Sequence, residues 1–161
     1  MEFPLWLLDI GHDVADGFSE IRLWGIDDQG RRLMLVDRNF RPYFYLVPTD
    51  ERGAEQLTAE IKGKRQSHPG IADVVVHETR FFGRPLCVVR IVCEEAANFS
   101  ECVESMAKAE GVKEHLEDDL RPSYRYLLDN GLEPCGWHQV KNGKEVSRPG
   151  LRIDGIYELE T

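Results

Sequence analysis

The segment from Tyr43 to Asp119 alternates between strand and helix periodicity, and this order constrains the fold more than any other feature of the chain. Apolar residues recur at helical spacing in 54–61 and again in 99–107. Strand-like stretches flank both helices, and two of them follow each other between the helices, joined by a turn at 82–85. The order strand, helix, strand, strand, helix, strand predicts a split βαβ, ferredoxin-like core in 43–119.

The rest of the chain predicts β-structure on either side of this core. Residues 1–42 predict a small antiparallel sheet, because 20–26 alternate polar and apolar residues and Asp16-Gly17 is a hairpin-type turn signal. Residues 135–161 predict a β-rich C-terminal tail, or a linker toward a further domain that is absent here. The fold class is therefore predicted to be α+β.

Charge and hydropathy exclude several function classes. The chain of 161 residues has 29 acidic and 20 basic side chains, a net charge of -9. Such a balance argues against a dedicated, tight nucleic-acid binder, although it leaves room for a local basic patch. No apolar run approaches the ~20 residues that span a bilayer, and the short apolar start lacks the features of a signal peptide. We expect a cytoplasmic protein without a membrane partner.

The segment 37–45 combines aromatic side chains with Arg38, Arg41 and Pro42 at the start of an apolar strand. A core strand needs no guanidinium groups, whereas a surface that contacts phosphates and flat bases uses both residue types. The alternative is structural, with the arginines pairing with Asp37 or with backbone carbonyls near a turn. Because side chains alternate along a strand, Phe44 is predicted to face the core, opposite to its neighbours.

Three blocks of sequence carry a family resemblance. The segment 37–45 resembles the FRPYFY signature in the N-terminal domain of archaeal family B DNA polymerases. Phe81-Phe82-Gly83-Arg84-Pro85 resembles the F-x-G-[KR]-P hairpin of that domain, and the run 125–134 is similar to its RYLIDxGLxP block. The blocks occur in the family's order, and the resemblance covers roughly 5–135. It implies a template-handling domain in 1–134 with an RNA-recognition-like core.

The resemblance also implies a shallow pocket that inspects the single-stranded template and captures uracil. Carried over residue by residue, the nucleic-acid or uracil-pocket candidates are His12, Pro42, Phe99, Leu120, Arg121 and Pro122. The residues with a template-contact or structural role are Arg38, Arg41, Tyr43 and Arg125. Pro42 and Arg125 match the family's pattern, whereas Phe99 replaces a small valine and Pro122 falls where a phenylalanine is usual. We expect template contact to persist and uracil discrimination to be weakened or lost.

Structural roles compete with these functional ones. Phe99 lies in the apolar stripe of a helix, where a core position is the commoner interpretation. Arg125 is better explained as an anchor of a short helix than as a DNA contact. His12 is more often a solvated histidine at a strand end than a ligand.

No catalytic motif is present, including a P-loop, G-x-S-x-G, H-E-x-x-H and the polymerase motifs. The acidic run 117–119 is interpreted as a solvated loop, and a faint likeness of 157–161 to the motif that opens the proofreading exonuclease is interpreted as chance. We expect a catalytically silent chain with no metal or cofactor. The parent, a DNA-directed DNA polymerase with 3′–5′ exonuclease, would use Mg²⁺ in other domains.

Three functions remain open at this point. The first is the N-terminal domain of a replicative polymerase, whose partners are template DNA and the exonuclease and polymerase domains of the parent chain. The second is a free-standing, non-catalytic nucleic-acid-binding protein. The third is a ferredoxin-like protein-interaction module, which the acidic net charge favours, whereas the ordered motifs favour the first two.

Overall fold

The computed structural model describes residues 1–160. In chain order the elements are β1 (Phe3–Ala15), β2 (Phe18–Asp27), β3 (Arg32–Asp37), β4 (Tyr43–Pro48), α1 (Gly53–Gly63), β5 (Ile71–Phe81), β6 (Arg84–Cys93), α2 (Phe99–Ala107), β7 (Val112–Leu116), α3 (Pro122–Asp129), β8 (Trp137–Val140), β9 (Gly143–Val146) and β10 (Gly155–Leu159). None of these helices is long and apolar enough to cross a membrane. The chain is mixed α+β and rich in strands, as the sequence predicts.

Contacts divide the chain into two compact units. The first comprises Met1–Phe40 together with the residues from Arg121 onward, and the second comprises Arg41–Leu120. The sequence predicts internal boundaries near 42 and 119, and it separates a tail at 135. That segment is β-rich, and β8 and β10 pair with β1 and β3 in the sheet of the first unit. A linker toward a further domain stays a prediction.

The first unit is built on a curled sheet of six strands, in the order β8-β1-β2-β3-β10-β9. All neighbours are antiparallel except β10 and β3. The rings of Phe3 on β1 and Tyr157 on β10 meet at 4.8 Å between centroids, although β2 and β3 separate these strands in the sheet. The sheet therefore curls around its core, where a cavity of about 220 Å³ is lined by Leu5, Leu23, Leu35 and Tyr126.

The β1–β2 hairpin closes with a two-residue turn. Ala15 pairs with Phe18, and Asp16 and Gly17 between them have φ of 53° and 79°. Positive φ at both central residues defines the type I′ turn, whose twist matches that of antiparallel strands and which favours Asp-Gly. The hairpin predicted from Asp16-Gly17 is confirmed.

The second unit is a four-stranded antiparallel sheet, in the order β5-β6-β4-β7, with α1 and α2 packed on one face. Its core contains Phe44, Leu57, Ile91, Phe99 and Met106, all buried. The opposite face carries a separate cluster around Tyr45, Val47 and Val88. Phe44 is fully buried on the helix side, and this confirms the alternation predicted for 43–45.

Candidate nucleic-acid interface

A guanidinium group lies among aromatic rings on the face of the second sheet that is opposite to its helices. Arg90 on β6 is the cross-strand neighbour of Tyr45 on β4. Its guanidinium carbon lies 4.7 Å from the ring centroid of Tyr43 and 5.6 Å from that of Tyr45. Because side chains alternate along a strand, Tyr43 and Tyr45 share this face and both reach the arginine.

Polar contacts of Arg90 complete this cluster. Its Nη2 lies 3.3 Å from the hydroxyl oxygen of Tyr45 and 3.2 Å from Nδ1 of His77. The ring of His77 stacks on that of Tyr45, with centroids 5.2 Å apart. Nε of Arg90 is buried, and no group among residues 1–160 accepts a hydrogen bond from it. None of the ion pairs in the described part of the chain involves Arg90.

The chemistry of this cluster suits a phosphate or a base. The charge of Arg90 is balanced by ring faces and not by a carboxylate, so the guanidinium keeps its attraction for an anion. Tyr45 is buried and stacked on His77, so among the two tyrosines only Tyr43, which is half-buried, leaves ring surface open to solvent. A tyrosine ring and a guanidinium plane are both groups on which unpaired bases stack in single-stranded complexes.

In the first unit, by contrast, three arginines pair with one buried carboxylate. The carboxylate of Glu20 on β2 is fully buried and receives hydrogen bonds from three guanidinium groups. Arg148 binds it with both terminal nitrogens, at 2.6 and 2.8 Å, Arg22 donates at 2.8 Å and Arg38 at 3.3 Å. Burial alone would raise the pKa of Glu20, but these hydrogen bonds outweigh it and lower the pKa from 4.5 to about 2.

The contacts of Arg38 are those expected if its role is structural. Its Nε donates to Glu20, and its guanidinium carbon lies 5.5 Å from the ring centroid of Phe18. The suggested pairing of Arg38 with Asp37 is wrong, because Arg38 pairs with Glu20 instead. Asp37 accepts hydrogen bonds from the hydroxyl of Tyr126 and the backbone N–H of Asn39, both at 2.8 Å. Burial, followed by the neighbouring Asp37 carboxylate, raises the pKa of Tyr126.

The remaining predicted residues of the first unit occupy a strand and a helix start. His12 is exposed on β1, opposite Ile21. Arg121 is exposed, and its carbonyl accepts a hydrogen bond from the backbone N–H of Arg125 at the start of α3. Pro122 is buried at the first position of α3, where its missing N–H costs no hydrogen bond. Arg125 is buried in the same helix.

In the second unit, Pro42 and Phe99 are buried. The carbonyl of Pro42 accepts a hydrogen bond from the backbone N–H of Cys93 at 2.8 Å. The ring of Phe99 packs perpendicular to that of Phe44 in the core. Leu120 is partly buried after β7, and Arg41 is exposed. The pocket candidates are thus divided between the two units, and their grouping into a uracil pocket stays a prediction.

Sequence reasoning missed Arg90, His77, Glu20 and Arg148. Arg90 had a signal, since it is the one charged residue in the otherwise apolar run 86–93, between valine and isoleucine. Glu20 had none, because its bidentate partner Arg148 is 128 positions away. Within 1–160 no group of three or more His, Cys, Asp or Glu side chains is arranged to hold a metal ion. The absence of a cofactor stays a prediction.

Comparisons with known proteins show what this chain is similar to. No protein-family model matches the chain. It is 31% identical over 154 residues to DNA polymerase 2 of Aeropyrum pernix, an alignment that covers 95% of the chain and 19% of the relative. It is 29% identical over 154 residues to DNA polymerase 1 of Pyrococcus abyssi, covering 94% of the chain and 19% of the relative.

A solved structure of a DNA polymerase is also similar to this chain. The family B DNA polymerase from the hyperthermophilic archaeon Pyrobaculum calidifontis matches with a TM-score of 0.78 and 34% identity, over 98% of this chain and 20% of that one. The chain spans about a fifth of the length of the relatives it matches. By sequence and by fold, it is identified as a homologue of the N-terminal part of archaeal family B DNA polymerases.

Proposed function

We propose that this chain is the N-terminal, template-handling part of a DNA-directed DNA polymerase of family B that acts in DNA replication. The observation that carries the proposal is its homology, over nearly all of its length, to the N-terminal part of such enzymes. On this proposal the polymerase and exonuclease active sites belong to other domains of the parent chain. Those domains and the single-stranded template are its partners.

The second unit supplies the support for template contact. Its strand order places β6 between β4 and β5, as a split βαβ unit requires, and we infer a ferredoxin-like, RNA-recognition-like fold for it. The cluster of Arg90 with Tyr43 and Tyr45 lies on its two central strands. A guanidinium group held against ring faces, with the half-buried ring of Tyr43 beside it, fits a phosphate and a stacked base.

Uracil discrimination is weakened or lost on this proposal. The supporting observation is Phe99, whose ring is buried against Phe44 in the core of the second unit. A large side chain at this position leaves less room for a base than the small residue usual in the family. Template contact through phosphates does not depend on that space.

Titration of the chain with labelled single strands tests both statements. Matched oligonucleotides that contain thymine or a single uracil are compared by fluorescence anisotropy at two salt concentrations. We expect binding that weakens as salt rises, because phosphate contacts release counterions, and equal affinity for the two strands. A clear preference for uracil would overturn the loss of discrimination, and the absence of salt-dependent binding would overturn template contact.

A second candidate function is a free-standing, non-catalytic nucleic-acid-binding or protein-interaction module. The observation that favours it is the net charge of -9, which opposes binding to a polyanion without help from other domains. Immunoblotting of source-cell extract with an antibody against this chain separates the two candidates. A band several times larger than 18.5 kDa supports the polymerase parent, and a band at 18.5 kDa supports the free-standing module.

A further inference from the structure

At the tip of the β5–β6 hairpin, the backbone conformation is one that phenylalanine rarely adopts. Phe81 pairs with Arg84, and the two residues between them, Phe82 and Gly83, have φ of 49° and 78°. This is the two-residue turn with positive φ at both positions, which strongly favours Asn or Asp before the glycine. A bulky residue in the left-handed region is strained, and strain that persists is often associated with function.

The same tip exposes aromatic surface. Phe82 is 90% exposed and Phe81 is 40% exposed, and their rings meet edge to face with centroids 4.6 Å apart. Phe82 thus gains little from burial that would offset the strained backbone. Two adjacent phenyl rings at the end of a hairpin form a small platform that is accessible from solvent.

Charge identifies the kind of surface that this platform fits. Arg84 lies directly across the hairpin from Phe81 and so shares its face, while Arg80 lies on the other face, across from Pro85. Both arginines are exposed, and neither forms an ion pair within residues 1–160. Residues 79–86 contain no acidic side chain, although the chain as a whole is strongly acidic.

We propose that this hairpin tip, defined as residues 80–84, is a binding site for single-stranded nucleic acid. The rings of Phe81 and Phe82 stack against unpaired bases, and the guanidinium groups of Arg80 and Arg84 contact the phosphates on either side. Aromatic stacking combined with cationic contacts is how proteins bind single strands without reading their sequence. The site shares no residue with the Arg90 cluster or with the predicted uracil pocket, and it rests on the proposed template-handling function.

A nucleic acid explains the tip better than a protein surface does. A protein partner would need a complementary acidic and apolar pocket, and it would give no reason for two arginines on opposite faces of a narrow hairpin. A flexible strand can pass over the tip and present phosphates to both faces. Charge complementarity thus favours the polyanion.

Anisotropy titration of the chain with an oligothymidylate at low salt tests the site. The aromatic variant is Phe81→Ala/Phe82→Ala, and its control is Tyr124→Ala, which removes an exposed aromatic ring from α3. The basic variant is Arg80→Gln/Arg84→Gln, and its control is Lys113→Gln/Arg152→Gln, which removes the same charge from other exposed positions. Circular dichroism confirms that each variant is folded.

We expect the aromatic variant to bind at least about fivefold more weakly, the lower limit for the loss of one stacked base. The basic variant should flatten the dependence of log affinity on log salt by about 0.7 for each phosphate that the tip no longer neutralises. Both controls should remain within about twofold of the unaltered chain, well below the effect of removing one stacked base.

Each other outcome overturns the proposal in a distinguishable way. If the unaltered chain binds and the tip variants match their controls, the tip is not a binding site, although template handling stands. If the unaltered chain does not bind at low salt, both proposals fail. If sedimentation shows a dimer that Phe82→Ala dissociates and DNA does not, the tip joins two copies of the chain.

Discussion

The β1–β2 and β5–β6 hairpins close with the same two-residue turn but use it differently. The first places Asp16 and Gly17 at the two positive-φ positions, a sequence that the turn favours. The second places Phe82 and Gly83 there, so that a strained and exposed phenyl ring forms the tip. Both turns have positive φ at their two central residues, but only the first has a residue before the glycine, Asp16, that this conformation favours.

The two hairpins also differ in how their charges are balanced. In the first, the buried Glu20 and the exposed Asp13 both bind Arg22. In the second, Arg80 and Arg84 at the tip are exposed, and no carboxylate in the described part of the chain pairs with them. Charge neutralised within a hairpin serves stability, whereas charge left open is available to a ligand. This difference, more than the presence of arginine, separates the structural hairpin from the candidate binding hairpin.

The largest expected effect is the loss of stability when the carboxylate charge of Glu20 in the first hairpin is removed. Glu20→Gln keeps the shape of the side chain but leaves three guanidinium groups around a neutral amide. Removing one partner from a buried ionic cluster costs about 3 kcal/mol of unfolding free energy. Urea unfolding at neutral pH measures the loss.

Asp13→Asn is the matched control for this change. Asp13 also binds Arg22, at 3.0 Å, but its side chain is 60% exposed. An exposed ion pair contributes about 1 kcal/mol or less. Equal losses in the two variants would contradict the importance of the buried position.

Acid should remove the same stabilisation without a mutation. The pKa of Glu20 in the folded chain is about 2, below its ordinary value of 4.5, so its contribution is fully present above pH 4.5. It is lost as the pH falls from 4.5 toward 2, because the unfolded chain takes up the proton first. We expect the difference in unfolding free energy between the unaltered chain and Glu20→Gln to shrink over this interval.

Other acids with lowered pKa values, including Asp27 and Asp154, titrate in the unaltered chain and in Glu20→Gln alike. Comparison of the two titrations therefore isolates Glu20. A difference that stays constant from about pH 6 to the acid limit of folding would show that the lowered pKa does not stabilise the fold.

The contrast between the hairpins also shows which features a sequence can predict. The Asp16-Gly17 turn, the alternation around Phe44 and the order of elements in 43–119 were predictable, because each depends on neighbours in the sequence. The β5–β6 turn could be placed from Phe82-Gly83-Arg84-Pro85, but its positive φ at phenylalanine could not. The known preferences of this turn assign that conformation to asparagine or aspartate, and they therefore do not predict it for Phe82.

Long-range pairings account for the rest of what could not be predicted. The strand β10 joins β3 in parallel, with Ile156 opposite Met34, and nothing in either segment indicates the other. The contact between Glu20 and Arg148 depends on the same closure of the first unit. The uracil pocket came from a family resemblance alone, and a pattern of matched positions does not give the distances between side chains.

The smallest expected effect, and the most direct test of the comparison, exchanges the turn residues. Phe82→Asn gives the second hairpin an Asn-Gly turn and should raise the free energy of unfolding by about 0.5–1 kcal/mol, because it relieves left-handed strain at a bulky residue. Asp16→Phe gives the first hairpin the disfavoured turn and should lower it by a similar amount. Thermal or urea unfolding of the variants measures both changes.

Phe81→Asn is the control, because Phe81 lies in β5, outside the turn, and its replacement relieves no strain. It should not stabilise the chain. If Phe82→Asn is neutral or destabilising, the ring of Phe82 contributes to the fold, and the argument that its strain serves binding fails. If Phe82→Asn stabilises the chain while weakening its affinity for single strands, stability and function oppose each other at a single residue, as expected for a strained binding tip.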